Sequence, residues 1–231
     1  MPDAENSNPP SITVRLVGHE REPVAIVENF APDPEALRAA AARAAFAPDP
    51  RHYPGIRAAL PADYMAGVRP ALSEVMREVF GFTRGARVLG ANFAMVTTSP
   101  EALSLEQRLP HVDALDPGRM AIVHYLSPGD TDGTAFYRHR ATGFETITAA
   151  RSAAYFAALN ADLAAHGQPA AAYLCGDTAI FEQTGVIGAR FNSALIYRSR
   201  VLHSGAISAG RELPGDPRTG RLTVTSFLAA A

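Results

Sequence analysis

The sequence predicts an α+β fold: helices in the first third of the chain, then a mostly antiparallel β core of the double-stranded β-helix (jelly-roll) kind, interrupted by one helical insertion. Three observations predict it. Up to about residue 83 the apolar residues recur at helical spacing behind helix-start signals. From residue 85 the texture changes to short β-branched runs broken by Gly, Pro and Asp, which is how strands of a sandwich or barrel read. A single Ala-rich block between Gly143 and Gly167 returns to the helical pattern. Helices followed by a run of strands indicate segregated layers, not alternating β-α-β units.

The elements follow in order. Residues 1–11, "MPDAENSNPPS", form a polar tail with no apolar run, neither signal peptide nor membrane span, and one domain is expected over 12–231. "PVAIVENFAPDPEALRAAAARAAF" reads as a strand entering a helix, with Asp33 as N-cap, Pro34 at the first helical position and Glu35 in the first turn. In "PADYMAGVRPALSEVMREVFGF" the residues Tyr64, Val68, Leu72, Val75, Met76, Val79 and Phe80 define one helical face. "RHYPGIRAAL" between them is expected to be an aromatic and basic loop. The strands are "ARVLGANFAMVTTS", "RMAIVHYLSP", "GTAFYRH", "DTAIFEQTG", "NSALIYRSRVLHSGAI" and "RLTVTSFLA". "ETITAARSAAYFAALNADLAAHG" is expected as a helix on the outside of the sheet, closed by Gly167.

Composition narrows the function. A formal charge of −2 argues against a nucleic-acid surface, and no apolar run reaches membrane-spanning length. The single cysteine, Cys175, excludes an internal disulfide framework, suits a reducing, cytoplasmic setting, and reads as an inert buried thiol. All 21 basic residues are arginine, so lysine Schiff-base chemistry and a P-loop lysine are excluded, and any anion held by a charged side chain is held by arginine. Nothing in the chain decides between a monomer and a homodimer.

The chemistry starts at "HVDALD". Chance alone places about a third of an H-x-D in a chain with 7 His, so the motif needs support. On a strand, His111 and Asp113 share a face and can converge on one ion. His203 in "VLHSG", on a later predicted strand, is the best third ligand. Two imidazoles and a carboxylate, with positions left open, form the facial site of non-heme Fe(II) oxygenases. Such a site needs a bidentate co-substrate, and a dicarboxylic keto acid needs a cation for its far end. Arg221 opens the next strand with Thr223 on the same face, and a guanidinium fork grips a carboxylate bidentately. Arg211 and Arg218, in the preceding loop, rank lower.

"HVDALDPGRMAIVHYLSPGDTDGTAFYRH", then "VLHSG" and "GRLTVTSF", resembles the catalytic core of the Fe(II)/2-oxoglutarate-dependent dioxygenases, nearest the prolyl-hydroxylase-like branch, over roughly residues 85 to 229. Tyr125-Leu126 and Gly133 to Tyr137 fill that branch's Tyr-Leu and Gly-Thr-aromatic places. "YPGIR", Tyr53 to Arg57, resembles an uncharacterised group in the same superfamily. The resemblance implies Fe(II) on His111, Asp113 and His203, and 2-oxoglutarate held by Arg221 with Thr223 and Tyr125 beside it. It implies molecular oxygen as oxidant and hydroxylation of an unactivated C–H bond in an amino-acid, peptide or small organic substrate. A carboxylate at Asp113 fills the place a halide takes in halogenating relatives. Tyr53, Arg57, Tyr137 and His139 are the expected substrate contacts, and His52 a rim residue. His124 is expected as a satisfied core histidine, and His19 and His166 as solvated. The loop before Arg221 is longer than the resemblance implies, and the 144–167 insertion has no counterpart in the minimal core. Two other readings stay open: a cupin-like metalloenzyme that does not use 2-oxoglutarate, and a non-catalytic jelly-roll binding or scaffold domain.

Overall fold

The structure, a computed structural model, describes residues 8–49, 53–128 and 131–230. The expected polar tail falls largely outside them, as does His52. Strands β1 (Ser11–Val17) and β2 (Glu22–Glu28) lead into helix α1 (Pro34–Ala41), then β3 (Ala47–Pro48), β4 (Gly55–Ala58), helix α2 (Tyr64–Glu78) and β5 (Ala86–Val96). β6 (Arg119–Tyr125) and β7 (Thr131–His139) precede helix α3 (Ala149–His166), and β8 (Phe181–Ala189), β9 (Ser193–Arg198), β10 (His203–Gly205) and β11 (Leu222–Ala230) complete the chain. The start of α1 is as its sequence specifies: the Asp33 carboxylate accepts the Ala36 N–H at 2.8 Å, a cap contributing about 1 kcal/mol. No helix is long and apolar enough to cross a membrane among the described residues.

The strands form an eight-stranded sheet, ordered β1-β2-β9-β6-β11-β5-β4-β3, and a three-stranded sheet, ordered β10-β7-β8. The fold is α+β, with a two-sheet core and flanking helices. Two-residue alternation divides the large sheet's faces. Met120, Ile122, Ala194, Ile196, Leu222 and Val224 face α1 and α2, packing on Leu37, Val68, Leu72 and Val75. One residue out of phase, Ala121, Tyr125, Leu195 and Tyr197 meet Phe136 and Ile187 of the small sheet. The small sheet's other face, through Ala135, Tyr137 and Phe181, packs on Tyr155 and Leu159 of α3. The insertion therefore lies on the outside of that sheet, as expected.

Two expectations are corrected. "YPGIR" is not all loop: Gly55–Ala58 pairs antiparallel with Phe93–Val96 of β5. A Cβ at Gly55 would collide with the Met95 carbonyl oxygen, so only glycine lets the two strands approach. Cys175 is exposed, because the segment after α3 crosses the surface without sheet pairing.

His124 is the core histidine the apolar strand implied. It is fully buried, its Nδ1 3.2 Å from the Tyr64 hydroxyl and its Nε2 3.1 Å from Asn192 Oδ1. Asn192 Oδ1 also accepts the Ala31 N–H, so Nε2–H donates to that oxygen and Nδ1 accepts from the phenol, a network satisfied by neutral imidazole. Burial lowers its pKa from 6.5 to about 4, only partly opposed by the bond to Asn192. Between those values the unfolded chain binds a proton that the folded protein refuses. The contribution of His124 is thus intact above pH 6.5 and is lost as pH falls to 4, at about 1.4 kcal/mol per pH unit. Urea unfolding across this range should show a wild-type slope that His124→Gln lacks. Parallel profiles would place the acid sensitivity elsewhere.

Candidate metal centre and its cavity

His111 is not on a regular strand. It forms an isolated antiparallel bridge with His203, the first residue of β10, each N–H reaching the other's carbonyl at 2.9 and 3.0 Å. Asp113 is fixed two residues on, its N–H donating to the Ser199 carbonyl at 2.8 Å. The expected H-x-D strand is corrected to an irregular segment stitched onto the edge of the small sheet. Its effect is the one the strand was meant to achieve. The ligand atoms of His111, Asp113 and His203 all lie within 4.8 Å of one another.

The donor set fits a divalent first-row metal. His111 Nε2 is 3.7 Å from Asp113 Oδ1, and His203 Nε2 is 3.6 Å from Asp113 Oδ2, too long for hydrogen bonds. Asp113 Oδ2 is buried with no hydrogen-bond partner among the described residues, an orphaned acceptor that an ion would satisfy. His203 Nδ1 lies 2.9 Å from the Val201 carbonyl, so Nδ1 carries the proton and Nε2 presents its lone pair to the cluster. The rings of His203 and Tyr197 meet edge-on at 4.8 Å, which fixes the imidazole plane. Burial and the neighbouring Asp113 raise the Tyr197 pKa well above that of a free phenol. Side-chain exposure falls from 53% at His111 to 17% at Asp113 and 7% at His203, so the trio opens on its His111 side.

The trio lines a cavity of about 660 Å³ that also takes in Ala121, Val123, Thr223, Thr225 and Phe227 from the large sheet. Arg221 lies on its wall and is 6% exposed. Its Nη2 donates to the Gly133 carbonyl at 3.0 Å and its Nε to the Asp132 carbonyl at 3.4 Å, while its guanidinium sits 5.8 Å from the centre of the Tyr125 ring. Gly133 must be glycine, since a Cβ there would meet the Ile187 carbonyl oxygen. Tyr125 is one layer back, bonded through its hydroxyl to Thr134 at 2.7 Å. Thr223 donates its hydroxyl to the Ala94 carbonyl at 3.1 Å.

Tyr53 and Arg57 do reach the cavity. The Arg57 guanidinium stacks on the Tyr53 ring at 4.6 Å and pairs with Asp49 at 2.9 Å. The Tyr53 hydroxyl is buried beside the Thr223 hydroxyl. Burial raises its pKa, with Arg221 and Arg57 pulling the other way, so this phenol lies close to both guanidiniums. Tyr137 and His139 do not line the cavity. They point to the opposite face of β7, where both are 0% exposed and His139 Nε2 meets Asp162 of α3 at 3.0 Å. Arg211 pairs with Asp132 at 3.5 Å and Arg218 with Asp216 at 3.6 Å, and neither lines the cavity.

The motifs did not reveal Tyr197, Tyr173 or the α3 residues Tyr155, Phe156 and Leu159, all of which line the cavity. Tyr173 donates to the Thr98 carbonyl at 2.7 Å, tying the segment after α3 to the end of β5. The entry to α3 is tied to the β1–β2 turn: the Glu145 carboxylate accepts the His19 and Glu20 N–H groups at 2.8 Å each, and Glu20 pairs with Arg151 at 2.6 Å.

Residues 8–228 match the model of a family described as "Family of unknown function (DUF6445)". The chain belongs to that family. HygX from Streptomyces hygroscopicus, solved with nickel, 2-oxoglutarate and hygromycin B bound, is similar at 14% identity over 90% of this chain and 83% of that one, with a TM-score of 0.48. AviO1 from Streptomyces viridochromogenes Tue57 is similar at 10% identity over 88% and 89% of the two chains, with a TM-score of 0.42. EvdMO1 is similar at 11% identity over 95% of this chain and 55% of that one, with a TM-score of 0.42. No curated protein matches the sequence.

Proposed function

We propose that the protein is an Fe(II)/2-oxoglutarate-dependent oxygenase, built on a double-stranded β-helix, that hydroxylates an unactivated C–H bond of an amino-acid, peptide or other small organic substrate. The observation that carries this is the two-histidine, one-carboxylate trio opening into a cavity that also holds a buried arginine. The Tyr125-Leu126 and Gly133-to-Tyr137 motifs support a place nearest the prolyl-hydroxylase-like branch.

His111, Asp113 and His203 would hold the iron through two imidazole nitrogens and a carboxylate, a donor set suited to Fe(II) with positions left open. When bound, iron and 2-oxoglutarate supply the oxidising chemistry: the keto acid loses CO2 and becomes succinate with one atom of O2, and the other enters the substrate C–H bond. The chain's own contribution is to bind, orient and shield. Val201 and Tyr197 hold His203 in the ligating tautomer and plane. Arg221 receives the distal carboxylate of 2-oxoglutarate, its fork braced by the Gly133 and Asp132 carbonyls. The Tyr53 hydroxyl, near Arg221 and Thr223, is a further donor to that carboxylate, whereas the Thr223 proton is already given to Ala94. The sheet-borne Ala121, Val123 and Phe227 keep the cavity dry around the reacting atoms.

The test is succinate release from 2-oxoglutarate in air with added Fe(II) and no organic substrate. Wild type should turn over slowly, and a chelator should stop it. Metal binding without 2-oxoglutarate binding would favour a metalloenzyme that does not use this co-substrate. Failure to bind either would leave a binding or scaffold domain.

A further inference from the structure

Besides the Ala121, Val123 and Phe227 of the large sheet, the cavity has a second apolar wall. The wall contributed by α3, the chain before Asp113 and the segment after α3 carries Leu109, Val112, Tyr155, Phe156, Leu159 and Leu174, together with Glu106, Gln107 and Tyr173; Glu106 and Gln107 each accept a hydrogen bond from Ser104, and Tyr173 donates to the Thr98 carbonyl. Of the first six, all but Phe156 belong to the apolar cluster between α3 and the small sheet, so this wall is the exposed rim of a packed core. The cavity's arginines, Arg57 and Arg221, are both grouped at Tyr53, on the side assigned to the co-substrate. Phe156 stands out on the apolar wall. It is 51% exposed, while Tyr155 beside it is 3% exposed and in ring contact at 5.1 Å. Phe156 thus offers an open aromatic face at the edge of a concave site.

We propose that the substrate is a small molecule with a predominantly apolar, ring-containing body that lies against this α3 wall and presents a C–H bond to the His111–Asp113–His203 centre; the proposal rests on the oxygenase reading above. The cavity, at about 660 Å³, lies within the roughly 300–1,000 Å³ range of small-molecule sites. A polyhydroxylated molecule on this wall would strip water from hydroxyls against Leu109, Val112, Phe156, Leu159 and Leu174, which offer no side-chain hydrogen bonds in return. A ring system gives up little, gains contact with Phe156 and Tyr155, and can stack in offset or edge-on geometry. The helical insertion is thereby the specificity element of the fold.

Ligand-observed NMR on the full chain, alone and with Zn(II) and 2-oxoglutarate added, tests this with two neutral probes, 1-naphthaleneacetamide and methyl α-glucoside. The naphthalene compound should bind and the glucoside should not. Phe156→Glu should weaken naphthalene binding by at least ~10-fold, the scale of a lost apolar contact in a pocket, and Phe156→Leu should retain it. Binding of the glucoside at similar strength, no binding of the naphthalene compound, or indifference to Phe156→Glu overturns the proposal. Succinate release by wild type is read separately. Intact release with no naphthalene binding removes the substrate class alone, and absent release with naphthalene binding removes the oxygenase reading.

Discussion

Replacing Asp113 by alanine is expected to remove the metal site and to leave the metal-free fold as stable as before. The two halves of that expectation have different causes. With no ion present, Asp113 Oδ2 is a buried acceptor without a hydrogen-bond partner among the described residues, so its loss takes away a group whose burial is unfavourable. The main-chain bond from Asp113 to Ser199 survives the substitution, because it uses the backbone N–H. With an ion present, the same carboxylate is the only anionic ligand of the trio. Its loss should weaken binding by more than the ~10–100-fold that removal of an outer-shell partner costs. A ligand at 100 times its Kd stabilises the folded state by about 2.7 kcal/mol, so the readout is the rise in Tm on adding Fe(II) anaerobically. Wild type should show that rise and Asp113→Ala should not, with similar metal-free Tm values. An equal rise in both would show that the metal sits elsewhere.

The centre was legible because its donors lie in short, marked segments. "HVD" and "VLHSG" are local signals, and the β-branched runs around them locate the sheets. What the local pattern could not express is how His111 reaches His203. The bridge between them joins residues 92 positions apart and lies outside any regular strand, so alternation predicted the convergence for a different geometric reason. Tyr137 and His139 show the limit from the other side. Their strand was correctly placed, but Thr134 and Phe136 face the large sheet while Ala135 and Tyr137 face α3. One residue of phase decides between cavity and outer core, and sequence alone does not say which face of β7 is inward. The cavity walls were the least visible. Phe156, Tyr173 and Tyr197 reach the cavity from α3, the segment after it and β9, and none sits in a motif. Cys175 misled because an apolar run near a helix end looks like core until the path of the segment is known.

Arg221→Leu is expected to raise the KM for 2-oxoglutarate by about 30-fold or more, since removing one partner of a buried, hydrogen-bonded charge pair costs about 2–5 kcal/mol. The difficulty is that Arg221 also braces the fold. Its donors reach the Gly133 and Asp132 carbonyls and its plane lies against Tyr125, so a loss of activity alone would not separate grip from scaffold. The co-substrate itself can separate them. In 2-oxopentanoate a methyl group replaces the distal carboxylate, while the keto acid that chelates the metal is kept. If Arg221 grips that carboxylate, wild type should prefer 2-oxoglutarate strongly, and Arg221→Leu should lose the preference by impairing 2-oxoglutarate while sparing 2-oxopentanoate. A bracing role would impair both equally. Arg221→Lys should fall between, because it keeps the charge but not the fork that meets a carboxylate and the two carbonyls at once. The effect should appear in KM more than in kcat, because the distal carboxylate is bound equally in ground and transition states. A kcat loss shared by both keto acids at unchanged KM would make Arg221 structural and pass the role of co-substrate anchor to Arg57, the other arginine lining the cavity.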